Sequence, residues 1–122
     1  AGLLADDRKT FLDTEQVACQ KIDVVENKFV ANTTLGVVIT NAQFDKTRLC
    51  KIAGMAHDGY ARAIRPVHTT ADGDSIYAVS LGTVQADQDV VGALGAQVMA
   101  EAILRAVRAA RPAYGLPAVS EL

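Results

Sequence analysis

Thr33 stands in Asn32-Thr33-Thr34, immediately ahead of the apolar run Leu35-Gly36-Val37-Val38-Ile39. A hydroxyl residue at the mouth of a buried strand is where a self-cleaving hydrolase would hold its nucleophile. Threonine is a weak nucleophile at its own pKa and needs an adjacent base. If the bond before Thr33 breaks, the freed α-amine, with a pKa of about 8, supplies that base within the same residue. The tripeptide also fits the N-glycosylation pattern, so its meaning depends on the rest of the chain. Downstream, Asp72-Gly73-Asp74 puts two carboxylates on one tight turn. Such side chains can orient a hydroxyl and an amine; read without Thr33, the same turn is a solvated loop. His57 and Arg62 share one predicted helix and read as surface or packing residues, and His68, next to Pro66-Val67, reads as a loop hydrogen-bonder.

The cysteines and histidines carry no metal or disulfide signature. Cys19 and Cys50 are isolated, with no Cys-x-x-Cys pair and no His at ligand spacing. They read as reduced, partly buried thiols rather than a zinc site or a disulfide framework. His57 and His68 are too far apart for a zinc helix motif. Chemistry without metal or cofactor is the expectation.

Elements must position these residues. Thr33–Thr40 is β-branched and almost wholly apolar, as in a strand covered on both faces. Asn41-Ala42-Gln43 turns the chain, and a helix is predicted from about Phe44 to Ile64, with Leu49, Ile52, Met55, Ala56, Tyr60 and Ala63 at helical spacing. Pro66 stops it. Ser75–Leu81 reads as a second strand, Gly82–Asp89 as a polar connector, and Val90–Ala110 as a long helix whose face carries Val91, Leu94, Val98, Ile103 and Val107. Gly92 and Gly95 cost helix propensity there, which implies close packing against a neighbour. Residues 1–32 follow neither period well; a short helix over Thr14–Lys21, capped by Thr14, is the only element predicted in them. Two strands and two helices cannot close a large sheet, so this polypeptide pairs with more chain or is a piece of a larger domain.

Composition bounds the partners. The 122 residues are one domain's worth at most, half hydrophobic and 21% charged, which suits a packed core and argues against disorder. A net charge of −2, with three Tyr, three Phe and no Trp, provides no basic stripe or stacking platform for nucleic acid. Arg105 and Arg108 interrupt the longest apolar stretch before transmembrane length, and no basic n-region followed by an apolar core marks a signal peptide. A cytoplasmic protein without a membrane partner is expected, which counts against glycosylation at Asn32.

Taken in order, Asn32-Thr33-Thr34-Leu35-Gly36-Val37-Val38-Ile39-Thr40-Asn41-Ala42, His57-Asp58-Gly59, Ala61-Arg62-Ala63-Ile64-Arg65-Pro66-Val67-His68-Thr69 and Asp72-Gly73-Asp74 resemble the DmpA/ThnT family of self-processing aminopeptidases, which includes the nylon-oligomer hydrolases. The resemblance runs from Asn32 to the end of the long helix. It implies an α/β (α+β) fold, the C-terminal part of an αββα layered sandwich like that of the DmpA and ornithine acetyltransferase N-terminal-nucleophile hydrolases. It divides the chain into residues 1–32, the tail of an α part ending at the processing site, and 33–122, the β part. It further implies self-cleavage between Asn32 and Thr33, after which Thr33 attacks peptide or other linear amide substrates with its own α-amine as base. Asp72 and Asp74 fall where the nylon-hydrolase branch has two aspartates near the nucleophile; the β-peptide-cleaving branch has Ser and Glu there. The oxyanion-binding Asn and an active-site Lys of the family belong to the upstream α part, so that part is an implied partner, as is assembly of αβ units into a homo-oligomer. Two other outcomes stay open: an acyltransferase of the ornithine acetyltransferase type, which also cleaves itself before a Thr, and an uncleaved, non-catalytic interaction domain.

Overall fold

The computed structural model describes residues 2–21 and 33–122. Asn32 and the proposed junction on its C-terminal side therefore involve a residue outside the described ones. Among the described residues the order is α1 (Thr14–Gln20), β1 (Leu35–Ala42), α2 (Lys46–Ala63), β2 (Ser75–Val84) and α3 (Gln88–Ala109), followed by a 3-10 turn at Val119–Glu121. The result is a mixed α/β structure with a small parallel sheet, in which β1 and β2 pair from Leu35↔Ser75 to Thr40↔Ser80.

Several boundaries shift for local reasons. Asp13, not Thr14, caps α1, because its carboxylate reaches Gln16 N at 3.0 Å. β1 continues through Asn41 and Ala42 across a register shift between Thr40 and Ala42, and the Ser80 hydroxyl satisfies the strand end by donating to Ala42 O and accepting from Phe44 N. β2 likewise runs to Val84, so the connector to α3 is only a few residues long. Asp45 and Asp87 cap α2 and α3 through Arg48 N and Val90 N.

Alternation sorts the strands into two faces. Gly36, Val38, Thr40 and Ala42 of β1 turn inward with Ala78 and Ser80 of β2, and the core joins Ala42, Phe44 and Ile52 to Val38, Leu49, Ala78 and Val91. The opposite face is bare, against the expectation of a strand covered on both sides: Leu35, Val37, Ile39, Tyr77, Val79 and Leu81 are all exposed, Leu35 by 71% and Leu81 by 74%. Between β1 and α3 lies an apolar groove of about 340 Å³, lined in part by Val37, Ile39, Leu94 and Val98. The predicted face of α3 needs the same correction. Leu94 and Val98 are exposed, and the buried stripe is Gly92, Gly95, Ala96 and Met99. Cys19 and Cys50 are also exposed rather than partly buried. Despite Arg105 and Arg108, α3 is long and apolar enough by length and composition to cross a membrane, and its small-residue stripe packs on α2.

The α2–α3 contact has the close approach expected at Gly92, where Met55 fills the space a Cβ would take, whereas at Gly95 a Cβ would meet only ordinary contacts. A Cβ on Gly59 would overlap Ala96 O and lie 2.7 Å from Met99 Cβ and 3.1 Å from Ala100 N, mostly backbone that cannot yield. Gly54, on the same helix, has nothing within 4 Å of its Cβ direction. Alanine gains about 1 kcal/mol of helix propensity at either site. Gly54→Ala should therefore raise the melting temperature of the full-length protein, whereas at Gly59 overpacking of about 1–3 kcal/mol outweighs the gain and should lower it. Paired thermal denaturation curves check the opposite signs.

Candidate active site

The parallel register decides which residues meet. With Leu35 opposite Ser75, the two residues before β1 come alongside the Gly73-Asp74 turn before β2. Thr33 is exposed at this edge, and its Oγ1 lies 2.8 Å from where a Cβ on Gly73 would stand. Only a glycine at 73 lets the hydroxyl approach the turn this closely.

Thr34 is clamped at both ends of its backbone. Its N–H donates to Asp74 Oδ1 at 3.0 Å. Its carbonyl accepts from Ser75 N at 3.0 Å and from the Tyr60 hydroxyl at 3.3 Å. Tyr60 is fully buried on α2, and its hydroxyl also reaches Ser75 O at 3.4 Å. Burial pushes the Tyr60 phenol pKa up, and the Asp74 charge adds to the rise. Tyr60 therefore stays a neutral donor at neutral pH.

The two aspartates of the turn do different work. Asp72 faces back into its own loop, where its Oδ2 accepts from Thr69 N and Thr69 Oγ1, both at 2.7 Å. Asp74 reaches β1, with a side chain only 5% exposed. Its Oδ2 is buried and lies 2.9 Å from His68 Nδ1, at ion-pair distance although not aligned as an ideal hydrogen bond. Burial raises the Asp74 pKa, but the Thr34 N–H, the His68 charge and hydrogen bonds from the Thr34 and His68 side chains outweigh it and leave the carboxyl below its ordinary range.

His68 is a hydrogen-bonder, as its loop position suggests, but its partners are site residues. Its Nε2 lies 3.3 Å from His57 Nδ1, and its ring packs 4.8 Å from that of His57 and 5.9 Å from that of Tyr60. The residue has φ +58°, a left-handed backbone that costs a non-glycine residue on the order of 1 kcal/mol. Arg62 is exposed. Among the described residues no group of three or more His, Cys, Asp or Glu side chains is arranged to hold a metal ion. Tyr60 was legible from sequence only as a core residue, since nothing in helical spacing reveals that its hydroxyl reaches the strand. The apolar groove beside α3 is lined by none of Thr33, Asp72 or Asp74.

The chain matches known proteins over most of its length. The model of peptidase family S58 covers residues 5–119. An uncharacterised aminopeptidase of Mycobacterium leprae is 40% identical over 101 residues, 70% of this chain and 28% of that protein. One of Mycobacterium tuberculosis is 35% identical over 106 residues, 75% of this chain and 31% of that protein. A 6-aminohexanoate-oligomer endohydrolase of Kocuria is 30% identical over 90 residues, 63% of this chain and 25% of that protein. The chain thus spans about a third or less of these relatives. With the family model matched across nearly the whole sequence, the chain belongs to peptidase family S58, the DmpA family.

Proposed function

We propose that this chain is part of an amide-bond hydrolase that cleaves itself between Asn32 and Thr33 and then uses Thr33 as its nucleophile. The observation that carries the reading is the seating of Thr33: its hydroxyl against Gly73, and the next residue held by Asp74, Ser75 and Tyr60. In processing, Thr33 Oγ attacks the Asn32 carbonyl carbon, the C–N bond breaks, and the nitrogen takes up the proton that Oγ gives up. Water then opens the ester, leaving a carboxylate on Asn32 and a free hydroxyl and amine on Thr33. In turnover the α-amine accepts the Oγ proton as Thr33 attacks a substrate amide, and passes it to the departing amine. Water hydrolyses the resulting acyl ester and regenerates Thr33.

Asp74 orients this centre by fixing the backbone directly after the nucleophile, and Asp72 shapes the loop that carries Asp74. An oxyanion donor, worth several kcal/mol in such reactions, and a lysine come from the upstream α part. The same α part covers the bare apolar face of β1 and β2 and thereby completes the αββα layering, with residues 1–32 as its tail and 33–122 as the β part. The αβ units assemble further as a homo-oligomer, in the cytoplasm. Peptides and aminohexanoate oligomers are the substrate classes suggested by the names of the relatives.

Intact-mass measurement on the purified full-length polypeptide should find a fragment beginning at Thr33. The assembled protein, incubated with short L-, D- and β-peptides and an aminohexanoate oligomer, should release amines detectable by mass spectrometry. A chain that stays whole and hydrolyses none of them would leave the interaction-domain reading in its place, and transfer to an amine acceptor in preference to water would favour the acyltransferase.

A further inference from the structure

Asp74 is gripped by groups from two parts of the fold. Its Oδ1 takes the Thr34 N–H of the β1 entry, and its Oδ2 faces His68 of the loop after α2. His68 in turn meets His57, which is on α2 itself. The pairing has one consistent proton assignment for neutral rings. An ionised carboxylate only accepts, so His68 carries its proton on Nδ1, leaving Nε2 as an acceptor. His57 must then donate from Nδ1. The contacts run from His57 through His68 to the carboxylate beside Thr33, the last of them at ion-pair distance.

A carboxylate held at one oxygen can still rotate about its terminal torsion, and with it the Thr34 anchor would shift. His68 supplies the second point of attachment. Its left-handed backbone is the conformation that brings the ring to this position. Tyr60, against whose ring His68 packs, holds the opposite end of Thr34, so one aromatic cluster governs both anchors.

We propose that His68, backed by His57, is a positioning residue that locks the Asp74 carboxylate and so fixes Thr33 for attack. This rests on the reading of Thr33 as nucleophile. The alternative is that the His68 ring merely packs against His57 and Tyr60. Two substitutions in the full-length protein separate the roles. His68→Phe keeps the ring but has no donor. His68→Asn loses the ring but keeps an N–H at the Nδ1 position and tolerates the left-handed backbone.

Positioning predicts that His68→Phe lowers both the processing rate and kcat by about 10- to 100-fold with little change in KM, because a small displacement of a reacting group has that scale of effect. His68→Asn should recover most of that loss. His57→Phe, which removes only the outer link, should reduce kcat by a few-fold. Full activity in His68→Phe, or a loss in His68→Asn as deep as that in His68→Phe, would overturn the proposal. Thr33→Ala run alongside separates the two claims: if it still processes and hydrolyses, the nucleophile reading has failed, whereas an inert Thr33→Ala beside a fully active His68→Phe removes only the role of His68.

Discussion

The full-length polypeptide carrying Thr33→Ala should remain one uncut chain and should hydrolyse no amide above background, a loss on the order of 10⁴-fold or more. The size follows from the chemistry. Both proposed reactions form an ester at Thr33 Oγ, and the substitution deletes that atom, leaving an α-amine with no hydroxyl to deprotonate. The fold should tolerate the change. Thr33 is exposed, outside the core, and its Oγ1 lies beside Gly73, 2.8 Å from where a Cβ there would stand. Thermal denaturation close to wild type, together with an absent Thr33-terminated fragment, would assign the loss to chemistry. Thr33→Ser keeps the hydroxyl but loses the branch that restricts χ1. It should still be processed, with activity within about tenfold of wild type if the hydroxyl is the group that matters. Full activity in Thr33→Ala would end the nucleophile reading.

What could be read from residues alone, and what could not, divides along physical lines. Elements came through because their signals are local: the β-branched run of β1 and the spacing of Ile52, Ala56 and Tyr60 on α2. The close packing implied by Gly92 was also legible, since a helix interior that gives up propensity must be approached, and Met55 does approach it. The direction of exposure was not. An all-apolar strand reads as covered on both faces, but Leu35, Val37, Ile39, Tyr77, Val79 and Leu81 stand exposed. At the site, Thr33 and the Asp-Gly-Asp turn could be named from the motif, but not the division of labour between Asp72 and Asp74. That depends on the register Leu35↔Ser75, which brings residue 74 rather than 72 opposite the strand entry. Tyr60 was hidden for a related reason: periodicity reports that a ring is buried, not where its hydroxyl points.

Asp74 should prove far more sensitive than Asp72, and that difference is the sharpest consequence of the geometry. Asp74→Ala leaves the part-buried Thr34 N–H without its acceptor, a deficit of about 1 kcal/mol. It also releases the residue next to the proposed nucleophile, so processing and kcat should fall by about 100-fold or more. Asp74→Asn keeps an acceptor for Thr34 only by turning its amide N–H₂ toward His68, and should lie between Ala and wild type. Asp72→Asn, whose contacts stay within its own loop, should cost far less. The pH dependence has a definite sign. The folded-state pKa of Asp74 is depressed, so its contribution to stability is present above the ordinary carboxylate pKa of about 3.9 and is lost as pH falls through the folded value. The stability gap between wild type and Asp74→Asn should therefore be present at neutral pH and close as pH falls into acid. Chemical denaturation of the two proteins across pH 7 to about 3 measures that gap; a gap that widened toward acid would mean that the carboxylate is not held by the Thr34 and His68 contacts described here.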